Sequence, residues 1–123
     1  MPLPREIHDH VVNPANDQIL IQATDGPGPG GANHEYLVQI PGGEAEDLWI
    51  DFQNGPIAEV GFNGITQEVL LAIVIDRLRS FQKGPFACDS NAKALEHAEA
   101  SLEWLKSRTR DRMRRGVEGR NVA

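Results

Sequence analysis

Thr66 divides the sequence into two hydrophobic periods, and that change constrains the fold more than any other feature. Before it, short stretches alternate apolar with polar residues and are broken by glycine and proline; after it, the spacing is helical and sustained. Thr66 is a good helix N-cap, and Glu68 in the first turn favours the positive end of the helix dipole. Val69 to Ile75 is apolar without a break, and Leu78 and Phe81 follow. A helix this apolar must be covered on more than one side. Lys83-Gly84-Pro85 stops it with glycine and then proline.

Asp89 or Ser90 then caps a second helix running to about Arg115. Its 25 or so residues span about 37 Å, more than a small domain needs. Leu95, Leu102, Leu105, Thr109 and Met113 form an apolar stripe, with small Ala94, Ala98 and Ser101 beside it. The short connection Gly84–Cys88 makes the two helices an antiparallel hairpin.

Upstream, residues 1–16 contain three prolines and two asparagines and read as irregular. Strands are expected at Asp17–Thr24, at His34–Ile40 and at Leu48–Gln53, with Leu48, Ile50 and Phe52 on one face. Asn54-Gly55 signals a tight turn, Ile57–Val60 a returning strand and Asn63-Gly64 a second turn. Strands first and helices after is an α+β order: an N-terminal antiparallel β-sheet followed by a C-terminal hairpin of two long α-helices. At 123 residues a single domain is expected, with the sheet region over 17–62, the hairpin over 66–115 and a tail over 116–123.

The net charge is −6, but it is unevenly spread. Seven of the twelve Lys and Arg residues fall between Lys106 and Arg120, against two acids there, so that segment carries +5 and residues 1–105 carry −11. An acidic body with one basic end suits a localised anion site better than a broad nucleic-acid footprint. There is no apolar stretch of about 18 residues, and the first residues lack the form of a signal peptide, so neither membrane nor export is expected. Cys88 is alone, which excludes an intrachain disulfide or a cysteine metal cage and points to a reducing cytoplasm.

Arg108, Arg112 and Arg115 share one helix face at i, i+4 and i+7, while Arg110 and Arg114 lie on another. Arginine presents a planar fork that matches phosphate oxygens in pairs, which lysine cannot do. The plainer alternative is that cations at a helix C-terminus favour the dipole and solubilise the tail. Phe81 and Phe86 flank Gln82-Lys83-Gly84-Pro85 and either hold a purine ring or cap the core; Asn91 either reads a base edge or assists the helix cap.

Other motifs carry less. The Gly26–Gly31 loop lacks the Gly-Lys-Ser/Thr of a phosphate loop and reads as a connector or a lid. His8-Asp9-His10 is an isolated His-x-His pair, and the four histidines have no ligand spacing. No metal, cofactor or catalytic residue is expected, since nucleotide-cleaving chemistry depends on metal sets or paired histidines.

Gln53-Asn54-Gly55-Pro56-Ile57, Asn63-Gly64-Ile65-Thr66, Leu70–Leu78, Phe81–Ala87, Asn91 and Arg108-Thr109-Arg110-Asp111-Arg112 together resemble a group of small phage proteins. They are the Thoeris anti-defence proteins, in particular the first-described cyclic-ADP-ribose sponge family, and the resemblance covers the chain from Gln53 onward. It implies an N-terminal antiparallel sheet, two long helices, and assembly into dimers and hexamers. It further implies capture, without cleavage, of cyclic ADP-ribose isomers made by bacterial TIR enzymes. Some members also hold cyclic di- or trinucleotides from CBASS signalling at separate sites.

Residue by residue, the resemblance carries the ring-stacking phenylalanine onto Phe81, the helix-start asparagine onto Asn91 and the paired phosphate-binding arginines onto Arg108 and Arg112. Nothing in residues 1–52 matches a functional position. In an antiparallel hairpin Phe81 and the arginines of one chain lie far apart, so a site combining them needs a second subunit. The expectation is a homo-oligomeric sponge for a cyclic nucleotide messenger in the cytoplasm of the infected host. The alternatives are a basic module that binds nucleic acid or a protein, and an enzyme that degrades the messenger.

Overall fold

The computed structural model describes residues 3–116, which fall into two compact units, one up to Ile65 and one from Thr66 onward. The first carries a four-stranded antiparallel sheet in the order β1 (Arg5–Ile7), β2 (Leu20–Ala23), β3 (Glu35–Gln39), β4 (Leu48–Asp51). Each strand pairs with the next in sequence: Glu6 opposite Gln22, Ile21 opposite Val38, Tyr36 opposite Ile50. Across β3 and β4, alternation sets Tyr36 and Phe52 on one face, where their rings meet edge to face with centroids 5.6 Å apart. Ala23 is fully buried.

Two segments differ from the sequence expectation. Residues 1–16 are not wholly irregular: Arg5–Ile7 forms β1, and Pro14–Asp17 forms one helical turn, α1. Its start is built by Asn13, whose side-chain oxygen accepts from the Asn16 amide at 2.9 Å, with Pro14 in the first helical position where its missing N–H costs nothing. The strand expected from Asp17 therefore begins at Leu20.

The sheet also ends earlier than residue 62. Ile57–Val60 is not a returning strand but a single helical turn, α2. Side chains hold the ends of this loop together. Gln53 donates through Nε2 to the Gly61 carbonyl at 2.8 Å and accepts from the Asn63 amide at 3.0 Å; Asn63 accepts from the Asn54 amide at 2.8 Å and donates back to its carbonyl at 2.7 Å. Asn63-Gly64 leads not into a turn but alongside Phe52, where Ile65 makes a parallel bridge. The Gln53 amide donates to Ile65 at 2.9 Å, and the Ile65 amide to Asp51 at 2.8 Å. Gly64 permits the approach: a Cβ there would lie 2.5 Å from the Asp51 carbonyl oxygen and 2.7 Å from the Gln53 nitrogen.

The Gly26–Gly31 loop is a connector with a 3-10 turn at Pro29–Gly31, closed by the Gly28 amide donating to Ala32 at 2.7 Å. It is anchored by Asp25, whose carboxylate accepts from the backbone amides of His34 and Glu35 at 3.1 Å. Burial alone would raise the Asp25 pKa. The Glu35 and His34 amides, its own backbone and Asn33 outweigh that and hold it below the usual 3.8.

The second unit is the hairpin of α3 (Gln67–Gln82) and α4 (Asp89–Arg114). Thr66 caps α3 as expected, accepting from the Val69 amide at 3.3 Å. Cys88, rather than Asp89 or Ser90, caps α4, its sulfur accepting from the Asn91 amide at 3.4 Å. On α3 the less exposed positions include Leu71, Ile75, Leu78 and Gln82, and Ile75 is buried. On α4 they include Leu95, Ala98, Leu102, Leu105 and Thr109. The alternating steps of three and four residues make matching 3.5-residue seams, the repeat of two closely packed helices. Arg79 bridges to Glu99 at 2.8 Å beside the seam, so these two positions lie level in the antiparallel hairpin.

One position departs from the expected stripe. Met113 is 63% exposed, and the seam continues three residues beyond Thr109 into Arg112, which is only 6% exposed. A period of 3.5 selects residue 112, whereas extrapolating by four selects 113.

Candidate functional site

The hairpin separates the expected site residues into two groups. Phe81 and Asn91 lie at its turn. The Phe81 ring meets Phe86 edge to face at 6.4 Å, and the Arg77 guanidinium lies over the same ring at 5.6 Å. Asn91 donates through Nδ2 to the Phe86 carbonyl at 3.3 Å, and Gln82 accepts from the Cys88 amide at 3.1 Å, so both ends of the turn are tied down. Asn91 thus supports the turn while its side-chain oxygen makes no hydrogen bond among the described residues. Arg77 was not among the residues singled out from sequence; its signal is the i, i+4 spacing from Phe81, which puts both on one helix face.

Arg108, Arg112 and Arg115 lie toward the other end of α4. From Asn91 to Arg108 is about 25 Å along the helix axis. With Arg79 level with Glu99, Phe81 stands about 16 Å short of Arg108 along the hairpin. Within one chain the ring cluster and the arginines are not brought together.

The basic end is not uniformly available. Arg110 pairs with Glu103 at 3.7 Å, Arg114 with Asp111 at 3.6 Å and Arg115 with Asp111 at 3.1 Å. Arg112 is buried at the end of the seam and is partnered there. Arg108 is different: it is exposed, and among the described residues it makes no ion pair or hydrogen bond. A guanidinium with its fork unoccupied is the form in which arginine can accept a phosphate without first giving up a carboxylate. Glu118 and Arg120, counted in the basic segment, lie outside the described residues.

Among the described residues no group of three or more His, Cys, Asp or Glu side chains could hold a metal ion, and no helix is long and apolar enough to cross a membrane.

A four-stranded antiparallel sheet followed by a tied helical hairpin with an aromatic turn and an arginine end defines a class. Residues 44–110 match a family model described as the Acb2/Tad1 hairpin domain. Over 112 residues the chain is 40% identical to Thoeris anti-defense 1 of Bacillus phage SBSphiJ7, an alignment covering 91% of this chain and 77% of that protein. The chain belongs to the Acb2/Tad1 family, the Thoeris anti-defence group that its sequence resembles. Phe81, Asn91 and Arg108 fall inside the matched hairpin; Arg112 and Arg115 lie just beyond its end.

Proposed function

We propose that this protein acts for a phage against its host's defence by binding a cyclic nucleotide second messenger and keeping it from its effector, without cleaving it. Arg108 carries this reading: among the described residues it is exposed and makes no ion pair or hydrogen bond, while the other described arginines of the basic segment are engaged. Family membership and the name of the Bacillus phage relative support the anti-defence role. The site joins the Phe81 ring and Asn91 of one chain, which hold the base, to Arg108, Arg112 and Arg115 of another, which hold the phosphates. Arg112 exchanges its present contact for a phosphate oxygen, and Arg115 exchanges Asp111.

A homo-oligomer is part of the proposal, as a dimer or a hexamer. Two features support it. Among the described residues only Ala23 and Ile75 are buried apolar side chains, very little core for a chain of this length. On α3, Val69, Ile73 and Val74 are 45%, 54% and 47% exposed, and Arg77 and Phe81 continue that face toward the turn. A second chain covering this face would reach Phe81. The proposed place of action is the cytoplasm of the infected bacterium, and the proposed ligands are cyclic ADP-ribose isomers, with cyclic oligonucleotides as a second class.

Capture by the purified protein followed by heat release tests this. Intact ligand recovered from the denatured protein supports sequestration. Breakdown products make the protein an enzyme, and the absence of any depletion leaves the arginine end as a macromolecular contact.

A further inference from the structure

Trp104 is 77% exposed on α4, an unusual position for a side chain whose large ring gains so much from burial. It stands one helical turn before Arg108, at i, i+4, so the two side chains rise from the same helix face. That face lies to one side of the Leu102–Leu105–Thr109 seam and continues through Asp111 to Arg115. On the other flank, Glu103 neutralises Lys106 and Arg110 at 3.5 and 3.7 Å. Trp104 therefore stands one turn from Arg108, which among the described arginines of α4 is the one with no ion pair or hydrogen bond.

An aromatic face next to an unpaired guanidinium is a recognition pair for a phosphorylated aromatic ring: the ring stacks while the fork takes the phosphate. We propose that Trp104 is a ligand-contacting residue, supplying the arginine end with its own stacking surface for the base or the sugar of a nucleotide whose phosphate Arg108 holds. The proposal rests on the nucleotide-binding reading above and deepens it. Phe81 reaches that site only from a second chain, whereas Trp104 and Arg108 belong to one helix and keep their spacing in any assembly. A nucleotide held between subunits would then have an aromatic wall from each.

The test uses the full chain and cyclic ADP-ribose as the probe, with Trp104→Ala, Trp104→Phe and Arg108→Ala compared by isothermal titration and by sedimentation. Trp104→Ala should weaken binding about tenfold or more at unchanged sedimentation, and Trp104→Phe, which keeps a stacking face, should recover most of it. Binding by Trp104→Ala equal to the parent's, while Arg108→Ala loses it, overturns the role of Trp104 and leaves the arginine site standing. Loss of binding together with loss of the assembled form also overturns it, by making Trp104 a contact between subunits. A parent protein that takes up no cyclic ADP-ribose overturns both this proposal and the reading beneath it.

Discussion

Arginines that look alike in sequence differ by their neighbours. Arg110 has Glu103 and Arg115 has Asp111, whereas Arg108 makes no ion pair among the described residues. Arg108→Ala should therefore weaken ligand capture by about 10- to 100-fold, the worth of a charge-assisted bond, with an unchanged melting temperature. Arg110→Ala should change capture little, and a direct titration of both variants checks the contrast. Asp25 tests a different residue-level claim. Its folded pKa lies below its unfolded one, so its stabilising effect is full above about pH 4 to 5 and is lost as pH falls through the folded value. Asp25→Ala should cost about 1–2 kcal/mol at neutral pH and should flatten the acid end of the stability curve, read by denaturant melts from pH 7 down to about 2.

Elements were legible where one period ran long enough to dominate. Thr66 and the apolar run behind it placed α3, and the apolar stripe from Leu95 to Thr109 placed α4 to within a residue of its end, although the stripe's last position differs: Met113 is expected there and Arg112 occupies it. Ile57–Val60 misled because its β-branched residues favour a strand, while what decides its shape is a set of side-chain bonds from Gln53 and Asn63, ten residues apart. β1 is only three residues long and becomes a strand by pairing with Leu20–Ala23, which no local pattern reveals. The Asn13-Pro14 start of α1 was readable but lay in a segment dominated by prolines. The site followed the same division: Phe81, Asn91 and Arg108 were named through residue type and resemblance, whereas the burial of Arg112 depends on how α4 packs in the hairpin. At this scale Gly64→Ala should push Ile65 off Phe52 and cost about 1–3 kcal/mol, measured by chemical denaturation. Ile75→Ala should cost about 2–5 kcal/mol by the same measurement, since Ile75 is buried in the hairpin seam.

At the scale of the whole molecule, the exposed apolar face of α3 and the sparse core argue for assembly, and the separation of Phe81 from Arg108 argues that the ligand lies where chains meet. Replacing Ile73 by a charged residue should therefore lower the sedimentation coefficient at micromolar concentration and ligand capture together, with the hairpin's helical circular dichroism retained. Sequestration demands that the protein hold the signal more tightly than the effector does and release it unchanged on denaturation. The most direct test incubates the purified chain with a panel of cyclic ADP-ribose isomers and cyclic oligonucleotides, removes unbound ligand by filtration, heats the protein and chromatographs what is released. The account predicts one ligand depleted from solution and recovered intact; recovery of breakdown products alone, or depletion of none, would contradict it.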